Sequence, residues 1–131
     1  MRYMFLVYTT EGELPPEERM KVMMGHRAVM EETSRLGIFQ GGEPLQPVMT
    51  ATTVRHVEGK ALVTDGPFAE TKEQLGGYYI LDCKDLDEAI EWAKKIPTKC
   101  QGGRGCVEVR PIKDMSEIQR EIQERLAAQH A

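Results

Sequence analysis

The sequence predicts an α+β domain of the ferredoxin-like kind: two β-α-β units sharing one antiparallel sheet, with a β-hairpin inserted between them. Three observations carry this. A strand–helix–strand pattern occurs twice, both of its helices are amphipathic, and Glu58-Gly59-Lys60 reads as a tight turn between two short strand-like runs.

The first unit opens with Arg2 to Thr9, rich in the β-branched and aromatic residues of a buried strand. Glu11 to Pro16 breaks it. Pro16 suits a first helical turn, and Glu17 and Glu18 suit its positive end, so a helix is expected from about Pro16 to Leu36. Gly37 then supplies a left-handed cap. The stripe Val22, His26, Val29, Thr33 and Leu36 should face the sheet, flanked by Met23 and Met30. Ile38 to Leu45 is a short strand through Gly41 and Gly42.

Thr52–Val57 and Ala61–Thr64 form the inserted hairpin, and Gly76–Cys83 (GGYYILDC) is a strong strand. Asp85 caps a second helix with Glu88 three residues on, Leu86, Ala89, Ile90, Ala93 and Ile96 form its expected buried stripe, and Pro97 stops it. Cys106–Ile112 is a last strand. The domain is expected to span residues 1–113, with 114–131 forming an amphipathic tail helix that carries Met115, Ile118, Ile122 and Leu126 on one face. Helices cover one sheet face only. A second copy is the natural cover for the other, giving a homodimer that closes an α/β barrel, with the tail helix expected to pack on its own domain or on the partner.

The 131 residues carry a net charge of −4, which argues against nucleic acid as the main partner. No apolar run reaches the roughly 18–20 residues of a membrane helix. Cys83, Cys100 and Cys106 match no zinc spacing and read as reduced thiols, with a Cys100–Cys106 bridge across the Gly-rich loop or a redox role as the alternatives, and a cytoplasmic location is expected. The Gly102–Gly105 loop lacks phosphate-loop spacing and precedes a strand.

Chemistry concentrates at a few places. His26 sits on the apolar stripe of the first helix, where a buried imidazole is either a satisfied core group or a general base. Gly25 beside it costs helix stability of about 1 kcal/mol relative to Ala, which implies a close backbone approach. In VTDGPFAETK, Gly66 and Pro67 make a stiff corner holding Asp65 and Phe68, with Glu70 and Lys72 close behind. Glu43 lies in the other glycine-rich corner. Arg55, Tyr78 and Tyr8 are strand residues able to line a cavity, and one of Tyr78 and Tyr79 must face the helices. The carboxylates show no metal-binding spacing, and no flavin, haem or nucleotide motif occurs, so no metal or cofactor is expected.

The run TDGPFAETKEQLGGYYILDCKDLDEAIEWAKKIP, with MRYMFLVY at the start, Gly42-Glu43-Pro44-Leu45 and VEVRPI at 107–112, resembles the YCII-related family, in particular its DGPF branch. The resemblance implies a dimeric α/β barrel and an active-site dyad of a helix histidine with an acid. His26 matches the histidine. No Asp stands at Gly41-Gly42, so Glu43 or Asp65 takes the acidic place.

Together these readings predict a cofactor-free enzyme acting on a small polar organic molecule by proton transfer. His26, Asp65 and Glu43 would be catalytic; Arg55, Phe68, Lys72, Tyr78 and Tyr8 would bind substrate, with Arg55 or Lys72 on an anionic group. The alternative is a non-enzymatic metabolite-binding or regulatory module, of the kind that resembles domains accompanying extracytoplasmic-function sigma factors.

Overall fold

A computed structural model of the chain describes residues 1–98 and 104–130. Strand β1 (Arg2–Thr9) leads to helix α1 (Pro16–Arg35) and strand β2 (Phe39–Pro44). A 3-10 turn at Val48–Thr50 precedes the hairpin β3 (Thr52–Val57) and β4 (Lys60–Asp65). Strand β5 (Gln74–Asp82), helix α2 (Leu86–Lys95), strand β6 (Gly105–Pro111) and helix α3 (Met115–Gln129) complete the chain.

The main sheet has the order β2-β5-β1-β6, and each neighbouring pair is antiparallel. With the β3–β4 hairpin set apart as its own two-stranded sheet, this is the split β-α-β arrangement expected. The ends follow from local chemistry. Pro16 occupies the first turn of α1, whereas Gly37 takes φ 77° and donates its N–H to Ser34 while Ile38 donates to Thr33. Asp85 accepts the Glu88 N–H at 2.9 Å and starts α2. Glu58 (φ 50°) and Gly59 (φ 79°) form the two-residue hairpin turn, in the left-handed region that primed turns require.

Register assigns the faces. Tyr3 pairs with Leu81 and Phe5 with Tyr79, so these residues point together at the helices and are buried there with Val7 and Cys83. Val29 and Thr33 of α1 meet them, as do Ala89, Trp92 and Ile96. The buried face of α2 is therefore rotated from the expected stripe: Trp92 is inside, whereas Leu86 and Ile90 are 49% and 39% exposed. A large ring at Trp92 sets which side of this short helix lies down, and Lys95 caps it from outside at 4.5 Å from the ring centroid. Leu36 likewise lies outside the core, 50% exposed at the α1 C-cap.

Gly25 has a clear reason. A Cβ there would sit 2.6 Å from Pro97 Cγ, so the bare backbone lets the corner after α2 lie directly on α1. Met4, Leu6, Tyr8, Tyr78 and Ile80 alternate onto the opposite sheet face, where each is half-buried. Helix α3 has no buried residue, and Ile122 and Leu126 are about half exposed. Cys83 is buried and Cys106 is an exposed free thiol, while Cys100, Gly102 and Gly103 lie outside the described residues.

Candidate functional site

Helix α1 stands away from the β2–β5 end of the sheet and leaves a cavity of about 940 Å³. Helical spacing arranges its α1 wall in two rows. His26, Met30 and Ser34 form the inner row at i, i+4 and i+8; Met23, Arg27, Glu31 and Arg35 form the row along the mouth. Val7 and Tyr79 supply the sheet wall, and Gly42, Gly76 and Gly77 the floor. The floor is bare because the strands are close. A Cβ on Gly42 would lie 2.9 Å from the Tyr78 carbonyl oxygen, and one on Gly77 would lie 2.9 Å from that of Glu43.

His26 is held by Tyr79. The Nδ1 of the imidazole is 2.5 Å from the Tyr79 hydroxyl oxygen, and the two rings lie within 17° of parallel with centroids 5.9 Å apart. Burial lowers the His26 pKa from its ordinary value of 6.5 and pushes the Tyr79 hydroxyl up to about 12, so both rings are neutral at neutral pH. The chemistry available is that of a neutral imidazole coupled to a phenol at the wall of an apolar cavity.

The expected site residues separate into two groups. His26 and Glu43 border the cavity, and so does Tyr78. By register, however, Glu43 pairs with Tyr78, so their side chains leave the sheet on the face opposite to Tyr79. Asp65, Arg55, Phe68, Lys72 and Tyr8 do not border it. Asp65 ends β4 opposite Thr52, and Arg55 donates from Nη2 to the Phe68 carbonyl oxygen at 2.9 Å. The Gly66 N–H donates to Ala51, Gly66 takes φ 103°, and the Thr53 hydroxyl donates back to the Gly66 carbonyl oxygen. These bonds tie the DGPF corner to Ala51 and to β3. Phe68 and Lys72 are exposed on it, and Tyr8 is half-buried on the opposite sheet face.

Tyr79, Arg27, Glu31, Ser34 and Arg35 are site residues that the sequence reading passed over. Strand alternation required one of the two tyrosines to face the helices, and the pairing of Tyr79 with Phe5 decides which. The three polar residues after Arg27 could have been found by continuing from Met23 and His26 in steps of four. Among the described residues no group of three or more His, Cys, Asp or Glu side chains could hold a metal ion, and no helix is long and apolar enough to cross a membrane.

Residues 1–116 match the YCII-related domain family, which takes in the whole sheet, α1 and α2. An uncharacterised protein of Rhizobium meliloti (strain 1021) is 39% identical over 115 residues, which is 86% of this chain and 92% of that protein. A solved structure of 5-chloro-2-hydroxyhydroquinone dehydrochlorinase (TftG) from Burkholderia phenoliruptrix AC1100, in complex with 2,5-dihydroxybenzoquinone, is similar at a TM-score of 0.44 and 19% identity. That similarity covers 84% of this chain and 93% of that one. With a family match running from β1 through β6 and a relative at 39% identity, this chain belongs to the YCII-related domain family.

Proposed function

We propose that this protein is a cofactor-free enzyme of the DGPF branch that transfers protons on a small organic molecule, with His26 as general base. The observation that carries the reading is the 2.5 Å contact between His26 Nδ1 and the Tyr79 hydroxyl at the cavity wall. In this reading Nδ1–H donates to the Tyr79 oxygen, which leaves the Nε2 lone pair basic. Nε2 takes a proton from the bound molecule, and the imidazolium keeps its bond to the phenol oxygen. The hydroxyl's own hydrogen is then free to donate to an oxygen on which negative charge develops. Tyr79 thereby fills the orienting place that an acid, Glu43 or Asp65, was expected to take.

The test is an NMR titration of the His26 ring in the intact protein and in Tyr79→Phe. The native midpoint is expected below 6.5, in line with burial. Removing an acceptor of Nδ1–H destabilises the imidazolium, so Tyr79→Phe should lower the midpoint further. A rise would mean that the hydroxyl donates to Nδ1, and it would overturn this assignment of the base.

The same reading takes residues 1–113 as the catalytic domain of a cytoplasmic homodimer that does not bind nucleic acid. Support comes from the half-buried sheet face with Met4, Leu6, Tyr78 and Ile80, and from the unburied stripe of α3. Two such sheets packed face to face bury both. Sedimentation equilibrium is expected to give twice the chain mass of 14.8 kDa, and a monomer at micromolar concentration would remove the barrel.

A further inference from the structure

The contact between His26 and Tyr79 joins two bodies that the chain supports separately. Tyr79 belongs to the sheet, where β5 is held in register between β1 and β2. His26 rides on α1, and one flank of that helix borders the cavity. What fixes α1 at its distance from Tyr79 must therefore act on the other flank.

That flank carries Gly25, Val29 and Thr33 at i, i+4 and i+8. The row lies beside that of His26, Met30 and Ser34, and about 160° around the helix from Arg27 at the cavity mouth. Val29 and Thr33 are buried in the core, whereas the neighbour of Gly25 is the ring of Pro97. A Cβ on Gly25 would stand 2.6 Å from Pro97 Cγ, so nothing larger than hydrogen fits between them. Glu32, on the same flank, lies 3.8 Å from Lys95 of α2.

Pro97 has no room to retreat. Ile96 before it is buried in the core, and after it the Thr98 carbonyl oxygen occupies the place that a Cβ on Gly105 would need. Gly105 begins β6, which is paired with β1 along its length. A closed pyrrolidine ring has no alternative rotamer to swing into. Pressure at Gly25 would thus move α1 the one way left open, toward the cavity.

We infer that Gly25 and Pro97 are positioning residues for His26: their contact is a backstop that fixes α1 where the imidazole meets the Tyr79 hydroxyl. The same contact sets the width of the cavity, although neither residue borders it. Alanine is the better helix former, so the glycine is not there for the sake of the helix itself. This deepens the proton-transfer reading and rests on its His26–Tyr79 contact, but not on which of the two groups donates.

The test is a double-mutant cycle in the full-length protein, with the His26 ring titrated by NMR in each variant. Gly25→Ala is expected to shift the midpoint by about 0.3–1 pH unit in the direction that Tyr79→Phe shifts it, the scale of one hydrogen bond. In a Pro97→Ala background the same substitution should leave the midpoint unmoved. The nearest atom is then the Cβ at position 97, 3.7 Å away, which is an ordinary contact. A midpoint unmoved by Gly25→Ala, whatever its stability, or an equal shift in both backgrounds overturns the inference. Should Gly25→Ala fold only in the Pro97→Ala background, with the midpoint of Pro97→Ala, the backstop is supported; failure to fold in both overturns it. A rise in Tyr79→Phe would sink the assignment of the base and leave this comparison of backgrounds intact, so the two fail separately.

Discussion

Replacing Phe5 by Ala is expected to cost about 3–5 kcal/mol, read as a lower denaturant midpoint with an unchanged slope. Phe5 has 0% exposure and sits on the central strand β1, paired with Tyr79 on one side and Val109 on the other. Nothing nearby can collapse into the space, because both neighbouring strands are fixed in register and α1 and α2 rest on top. A loss of that size is a large share of the roughly 5–15 kcal/mol that separates a folded domain from its unfolded chain. A loss under about 1 kcal/mol would mean that Phe5 does not anchor the core.

Gly42→Val should have the next largest effect, about 1–3 kcal/mol of destabilisation, the usual range for overpacking. The new Cβ would lie 2.9 Å from the Tyr78 carbonyl oxygen and 3.4 Å from Tyr79 Cα and Cδ1, and backbone cannot rotate away. Strand β2 lies at the edge of the sheet, so it is the part that moves. Because the new side chain presses on Tyr79, the same variant should disturb the His26 contact, and the His26 titration midpoint should shift. A variant as stable as the parent, with that midpoint unchanged, would show that the glycine floor is not under close-packing constraint.

The fold was legible in the sequence because its signals are local. Alternation in β1 and β5, the Gly37 and Asp85 caps and the Glu58-Gly59 turn each specify their own few residues, and the sheet order follows from connecting them. Trp92 and Leu86 show where local reasoning stopped, since a ten-residue helix can roll and the choice of buried face belongs to the surface it meets. His26 was visible because a polar ring on an apolar stripe breaks a pattern. Its partner was not, for Tyr79 lies 53 residues away and only strand register brings it near. The DGPF corner drew attention through its charges. Its hydrogen bonds to Ala51, Thr53 and Arg55 could be known only once β3 and β4 were paired.

The glycine floor has a consequence for how this cavity can change. Its floor offers little to vary, since any side chain at Gly42 or Gly77 meets a neighbouring strand's carbonyl oxygen. Beyond the core-packed Val7 and Tyr79, much of the diversity in ligand choice can therefore come from one helix face. Met23, Met30, Ser34 and Arg35 form a short alphabet on one helix. A library confined to those four positions would redesign the cavity's selectivity while leaving the sheet untouched, and it would retain His26 and Tyr79 as its constant element.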